Sequence, residues 1–491
     1  MKEKISLPGK YQSRVLFKKE PIYTSALKPP KNGDRVYSLT QDQINEIRSI
    51  RGETMELDPG MGGVSPTKIR QWINEGNNLT SLDLMLTKNC NFACTWCFAG
   101  SAPGEKESLP FDIIRKTVSQ AVDIGVKLFI LTGGEPLMYR DAKEKKGFFD
   151  VIDLIRENYE KENKTAKLLV FDDVALITPN IAEMFYHKGV GLCTKGDTLD
   201  ASLQDYKLQK HGAFDEMMRG YRNLWEAGYG EKGSPPIVVN TVLDHTTFSG
   251  MVDLHYWVRE HGMEHSIVPV HYCGNAVNDD QEGGIHSHHV KVLYDLLAKI
   301  DKEEFGDVWT PWSAFPKNKN CNRNLSGLHI RSSGMVTACS ESPGPDETDA
   351  YTFGNIYEMD IASISKSKKL KDYRKEFEAG YGQYVCSPDV CDLYKEDLCR
   401  GGCATRSAYS KIDYNTGLIM KNDNPLNYSQ FREDPLCMAW TILAEKQGVL
   451  KSGLLDEVHQ FLIRSSERIN RGKYKNRNSL NRADKQIALF K

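Results

Sequence analysis

Three cysteines within eight residues, Cys90-Asn-Phe-Ala-Cys94-Thr-Trp-Cys97, constrain this chain more than any other feature. Thiols that close along a chain act together, as ligands of one metal centre or as disulfide partners. The choice depends on the compartment. Met1–Lys19 carries scattered charges and no apolar stretch of signal-peptide type, so no secretory signal is expected. The longest apolar runs, such as Val126–Thr132, are far too short to span a bilayer. A cytoplasmic location follows, where thiols stay reduced and metal binding is favoured over disulfides. The spacing C-x3-C-x2-C lacks a nearby fourth ligand, which leaves zinc as the weaker alternative. A [4Fe–4S] cluster usually takes four cysteines. Three of them leave one iron open, and an open metal position is where chemistry takes place.

The other nine of the twelve cysteines are unevenly placed: seven fall between residues 321 and 437, and only Cys193 and Cys273 stand apart, each read as a buried small hydrophobe. At 491 residues the chain is long enough for two to four domains. A net charge of −2 argues against a general nucleic-acid binder, which would carry a basic excess.

Between residues 82 and 275 short apolar runs alternate with amphipathic stretches. Strands are predicted at Leu82–Leu86, Val126–Leu131, Lys167–Ile177 (interrupted at Asp172-Asp173), Val190–Cys193, Ile237–Leu243 and Ile267–Tyr272. Helices are predicted at Phe111–Ile124, Phe148–Tyr159, Asn180–Lys188, Phe214–Ala227 and Met251–His261, with Val290–Lys302 closing the region. Six strands with intervening helices imply parallel crossovers in an α/β fold, here a partial (β/α)6 barrel. A cysteine-rich α+β auxiliary-cluster domain follows. The expected divisions are a lead-in at 1–80, the barrel at 81–305, the cysteine-rich domain at 306–440, and a helix with a basic tail at 441–491. In the lead-in, helices are predicted at Leu39–Ile50 and Ser65–Gly76, and the segment is a weak match to a peptide-binding module.

A second motif, Thr132-Gly133-Gly134-Glu135-Pro136, ends the second predicted strand. Glycines there let backbone polar groups approach a ligand, and Glu135 offers a carboxylate to an ammonium group. Following C-x3-C-x2-C by one β-α unit, the motif completes a pair that resembles the radical S-adenosylmethionine (SAM) superfamily. The resemblance implies that Cys90, Cys94 and Cys97 bind a [4Fe–4S] cluster whose open iron SAM chelates, and that Gly133, Gly134 and Glu135 touch SAM. The aromatic neighbours Phe92, Trp96 and Phe98 fit the same pattern. Lys195 and Asp197, at the end of the fourth strand, and Asn240 in the fifth are further SAM contacts it suggests; an ordinary solvated or core-satisfied polar residue is the alternative for each.

The later cysteines form Cys321-x12-Gly334-x4-Cys339, then Cys386-x4-Cys391-x7-Cys399-x3-Cys403, then Cys437. This resembles the SPASM domain, although two gaps are longer than that family's usual C-x2-C-x5-C-x3-C. Phe353–Ile356 and a helix predicted at Ile361–Phe377 match the segment between its halves. The resemblance implies two auxiliary [4Fe–4S] clusters, the nearer held by Cys321, Cys339 and Cys403, the farther by Cys386, Cys391, Cys399 and Cys437. The nearer then lacks a fourth cysteine, with Cys273 as a candidate and a site left open or bound by a non-cysteine group as the other reading. Two zinc sites are the alternative for the whole region.

The histidine run His286, His288, His289 reads as a solvated turn before a helix, and Leu454–Ile469 as an amphipathic helix followed by a basic tail from Arg471. The functional expectation is an oxidoreductase that cleaves SAM to a 5′-deoxyadenosyl radical and modifies or cross-links a ribosomal peptide. A low-potential donor such as a flavodoxin or ferredoxin is its expected partner, with no nucleic acid and no membrane. A dehydrogenase or epimerase of a small molecule is the second reading, and a zinc-stabilised scaffold the rival from another class. No catalytic acid or base is identified.

Overall fold

The computed structural model describes residues 5–12, 21–31, 35–42, 44–45, 71–75, 79–278, 285–306, 322–343, 349–379, 386–396, 402–421 and 434–471. Six parallel strands pair in chain order: β1 (Ser81–Met85), β2 (Leu128–Thr132), β3 (Lys167–Asp172), β4 (Gly191–Lys195), β5 (Ile237–Leu243) and β6 (Glu264–Pro269). The ladder does not close from β6 back to β1, so the barrel is open. The crossovers carry α1 (Phe111–Asp123), α2 (Phe148–Lys161), α3 (Pro179–His187), α4 (Ala201–Leu208), α5 (Ala213–Glu226) and α6 (Met251–Glu260), and α7 (Ser287–Ile300) follows. Each helix buries an apolar stripe: α1 turns Phe111, Ile114, Val118, Ala121 and Val122 inward at three- and four-residue spacing. Thr178 caps α3 through its hydroxyl, with Pro179 in the first helical position.

Most strands and helices lie within a few residues of their predicted bounds. The sixth strand sits earlier than predicted, at Glu264–Pro269 rather than Ile267–Tyr272, because Pro269 cannot continue as a hydrogen-bonded donor. Two predicted helices are broken. Ile361–Phe377 divides at Ser367, whose extended ψ of 147° separates Ile361–Lys366 from Lys368–Ala379. Leu454–Ile469 divides at Ser466, which instead caps Glu467–Asn470. Helix α4 had no sequence signal: its Leu203, Gln204, Tyr206, Lys207 and Leu208 are all buried, so no polar face marks its period. The run His286–His289 is not solvated; all three histidines are buried under the start of α7. Half of the helix predicted at Leu39–Ile50, most of that at Ser65–Gly76, and Cys321, Cys399 and the basic tail beyond Arg471 lie outside the described residues.

The cysteine-rich region continues the barrel sheet. β7 (Gly327–Ile330) adds in parallel to the free edge of β1, pairing His329 with Asp83, and β8 (Met335–Thr337) and β9 (Thr352–Asn355) follow antiparallel. An uncovered β1 edge would leave a row of unpaired backbone groups. The N-terminal segment packs on this same region. Ile22 N–H donates to Thr416 O, Thr24 N–H to Val449 O, and Val36 and Tyr37 N–H to Val390 O. Residues 71–74 lie beside the lumen, where Trp72 and Ile73, like Phe171, pack on Leu128, Ile130, Leu169 and Cys193.

One charged knot joins the barrel to its extension. Asp83 is buried in β1 and accepts from Thr132 Oγ1 at 3.1 Å and from Arg323 Nη1 at 3.1 Å, with His329 Nδ1 at 3.2 Å. Arg323 also donates to Ser340 Oγ at 2.7 Å and stands over the Phe171 ring. Burial pushes the Asp83 carboxyl up, but His329 and Arg323 outweigh it and hold it below the usual carboxylate range. Breaking a buried pair by deleting one partner leaves an uncompensated charge. Arg323→Met is therefore expected to lower unfolding stability by on the order of 3 kcal/mol near neutral pH. A depressed carboxyl contributes stability above its unfolded value and loses it as pH falls through the folded one, so the gap to the native protein should narrow in acid. Denaturant titrations at both pH values check this.

Candidate functional site

The loop that carries Cys90, Cys94 and Cys97 leaves the C-terminal end of β1 and has no regular structure of its own. It is held from three directions. The Gly133-Gly134 turn at the end of β2 lies directly against it: Gly134 N–H donates to Thr87 O at 2.6 Å and Glu135 N–H to Asn89 O at 2.8 Å. A Cβ on Gly134 would overlap the Asn89 and Lys88 carbonyls, so only glycine permits this approach. The end of α4 forms the second wall. Lys207 O accepts from Thr95 N–H, and Leu208 O from Ala93 N–H. The Lys207 ammonium is buried between the Asp244 carboxylate and the face of Trp96, and Lys210 stands 5.2 Å from the Phe92 ring centre. The loop after β6 forms the third. Asn275 N–H donates to Cys97 O at 2.9 Å and its Nδ2 to Cys94 O at 2.9 Å, while Gly274, at φ +57°, sits where a Cβ would strike Cys97 O.

The sulfur atoms are suited to a metal. Cys90 is buried, and Cys94 and Cys97 are half-buried. Backbone N–H groups of Phe92 and Ser101 point at Cys90 Sγ and Cys97 Sγ, both at 3.4 Å. Burial pushes the thiols of Cys90 and Cys94 well up, and Lys195 opposes that rise at Cys94.

The other predicted SAM-contact residues line the same mouth. Lys195 Nζ pairs with Asp197 Oδ1 at 2.9 Å. Asp197 is buried and accepts from Val242 N–H on the same oxygen, while its own N–H donates to Gln204 Oε1. Asn240 is half-buried and accepts from Ser266 Oγ at 3.2 Å. Glu135 is fully buried, with Leu137 N–H at 2.8 Å on Oε1 and Asp173 N–H at 3.1 Å on Oε2. Burial, then Asp172 and Asp173, push its carboxyl well up.

The C-terminal cysteines gather around two knots. Asp434 accepts from Cys403 N–H at 3.0 Å and from Leu436 N–H, its carbonyl accepts from Cys437 N–H, and its carboxylate pairs with buried Arg406. Tyr37 bridges to Cys391, and Asp392 N–H donates back to Tyr37 O. Burial raises the Tyr37 phenol, and the thiols of Cys391 and Cys437 add to that rise, so both lie within electrostatic reach of its hydroxyl. Cys339 and Cys386 are buried. Cys193 and Cys273 are buried too, and Cys273 lies within a short strap whose His271 pairs with Glu341 at 2.7 Å, two residues beyond Cys339. Sequence reasoning missed Asp83, Lys207, Asn275 and Arg323. Of these only Asp83, a lone charge in an apolar strand, carried a signal.

Residues 84–153 match the Radical SAM superfamily, and residues 321–401 match SPASM, an iron–sulfur cluster-binding domain. The GTP 3′,8-cyclase of Edwardsiella ictaluri (strain 93-146) is 27% identical over 200 residues, 40% of this chain and 56% of that protein, so the match spans little more than half of the relative's length. Native anSMEcpe with bound AdoMet superposes with a TM-score of 0.55 at 15% identity, covering 77% of this chain and 100% of that one. Streptococcus suis SuiB bound to its precursor peptide SuiA gives a TM-score of 0.51 at 14% identity, covering 72% and 78%. At such identities these likenesses concern the fold. No helix among the described residues is long and apolar enough to cross a membrane. The radical SAM domain binds SAM and a [4Fe–4S] cluster, and the SPASM domain binds auxiliary iron–sulfur clusters. An open parallel barrel, a cysteine loop at its mouth and both domain matches make this chain a radical SAM enzyme with a C-terminal SPASM domain.

Proposed function

We propose that Cys90, Cys94 and Cys97 ligate the cluster that binds SAM, and that the enzyme takes a hydrogen atom from a carbon of a ribosomal peptide. The observation that carries this reading is the single loop of three thiols braced against the Gly133-Gly134 turn at the barrel mouth. When bound, the cluster supplies the electron that breaks the sulfonium C–S bond of SAM, giving methionine and a 5′-deoxyadenosyl radical that removes the hydrogen.

The residues of the chain set the geometry. In this reading Gly133, Gly134 and Glu135 would meet the amino group of SAM, and Lys195, Asp197 and Asn240 would contact its carboxylate and ribose. Asn275 and the α4 carbonyls hold the thiols still, so orientation precedes reaction. The apolar patch of the lumen formed by Phe171, Ile130 and Cys193, beside the paired Asp83 and Arg323, keeps water from a reactive radical.

In this reading the barrel at 81–305 and the domain at 306–440 divide the work. Cys321, Cys339 and Cys403 serve a nearer auxiliary cluster, with Cys273 as its candidate fourth ligand or one iron left open, and Cys386, Cys391, Cys399 and Cys437 serve a farther one. The electrostatic reach of both Cys391 and Cys437 to the Tyr37 hydroxyl supports the second grouping. Fold likeness to SuiB, solved with its precursor peptide, supports a peptide substrate. The match to a GTP cyclase favours a small molecule as the second reading. A flavodoxin- or ferredoxin-like donor in the cytoplasm supplies the electron.

Two measurements test this. Anaerobically purified protein should hold about twelve irons with matching sulfide and no stoichiometric zinc; several zincs and no sulfide would restore the scaffold reading. Cys97→Ala should abolish 5′-deoxyadenosine formation, read by chromatography after reduction with SAM, and turnover by that variant would refute the first-cluster assignment. Incubation with short peptides from neighbouring genes, read by mass spectrometry, separates a peptide substrate from a small molecule.

A further inference from the structure

Cys403 and Cys437 fall to different clusters in the proposed function, yet one residue holds both. Asp434 Oδ2 accepts from Cys403 N–H at 3.0 Å, and the Asp434 carbonyl accepts from Cys437 N–H at 2.9 Å. Leu436 N–H adds a bond to Oδ1 at 3.0 Å. Gly402, at φ +87°, lies so close that a Cβ there would overlap the Asp434 side chain. Arg406 completes the knot: Nε donates to Asp434 Oδ1 at 2.7 Å and Nη2 to Oδ2. The pair is bidentate and dry, with side chains 2% and 3% exposed. Arg406 belongs to the short helix Ala404–Tyr409 that Cys403 starts, and Cys403 O accepts from Ser407 N–H at 2.9 Å. Burial works against the Arg406 charge, and Asp434, with a smaller part from Cys403, outweighs it. The guanidinium is therefore within electrostatic reach of a cluster ligand. A buried ion pair is weak evidence for stability, because apolar residues of similar volume often hold a fold as well. Its place between two cysteines asks for another role.

We propose that Arg406 and Asp434 are a positioning pair for the two auxiliary clusters, a charge-balanced joint that fixes one ligand of each and poises both potentials. The inference rests on the ligand grouping of the proposed function and adds residues that grouping leaves out. Cluster potentials respond to nearby charge, hydrogen bonding and burial. A charge in a dry interior acts far more strongly than one in water. With both partners present the joint adds no net charge beside either cluster. With one removed, the other stands uncompensated beside Cys403 and Cys437. A lone carboxylate disfavours the reduced, more negative form of a cluster, and a lone guanidinium favours it.

The test uses cluster-loaded full-length protein, kept anaerobic and free of substrate, with the EPR signals of the reduced clusters followed through a redox titration. The SAM-binding cluster is told apart by the change in its signal when SAM is added. Arg406→Met should move both auxiliary midpoints to more negative values. Asp434→Asn should move both to more positive values, and the double variant should return them toward native, with the SAM-binding cluster unmoved throughout. Should a single variant lose iron, Arg406→Gln, which keeps a donor for Asp434 without the charge, decides by the same negative shift. Shifts of one sign in both single variants, a shift in one auxiliary cluster alone, unmoved midpoints, or loss of iron from all of these variants overturns the proposal, the last because it marks a purely structural pair. Native protein without auxiliary clusters would end the cluster reading and this inference together; native signals with unmoved variants end this inference alone.

Discussion

The site depends on borrowed backbone hydrogen bonds. The stretch from Asn89 to Cys97 makes no helix or strand, yet it must hold three thiols in fixed relation. Its carbonyls and N–H groups are satisfied by β2's glycine turn, by the last carbonyls of α4 and by the strap after β6. A loop bonded in this way is ordered by its surroundings, because each unmatched buried backbone group would cost as much as a lost hydrogen bond. The open barrel is what brings those three suppliers to one end of the sheet.

The same logic explains how the two halves of the molecule hold together. An open barrel leaves β1 with a free edge, and β7 covers it. That pairing sets His329 beside Asp83 and brings Arg323 into the lumen, so a charge inside the barrel is balanced from outside it. Strap residues His271 to Asn275 work similarly, meeting Glu341 at one end and the Cys94 and Cys97 carbonyls at the other. The N-terminal segment, which reads as a separate lead-in, is strapped onto the cysteine-rich region through Tyr37, Val36 and Ile22. Barrel, auxiliary region and N-terminus are therefore mechanically linked around the cysteines.

Much of the architecture was legible where period and composition agree. β1, β2, β4 and β5 are short apolar runs bounded by polar turns, and α1, α2, α5 and α6 have clean apolar stripes, so their positions emerged nearly unchanged. Elements without such contrast did not. Helix α4 is buried on too many sides to show a period, and the histidine run before α7 looked polar enough for solvent although it is buried. The serines at 367 and 466 broke predicted helices because a side chain can cap a new helix as well as continue an old one.

By itself the sequence determined the family pattern, because C-x3-C-x2-C, Gly-Gly-Glu-Pro and the later cysteine spacing are local and survive without knowledge of the fold. It also determined the alternation of strands and helices, which follows from local apolar period. Only the tertiary structure decided which distant groups meet: Asp83 with Arg323, Lys207 with Trp96, Tyr37 with Cys391, and Glu135 with Asp172 and Asp173. Such contacts join residues that are tens or hundreds of positions apart, and no periodicity in the chain encodes them; sheet order and the close approach of loops at one end of the barrel do.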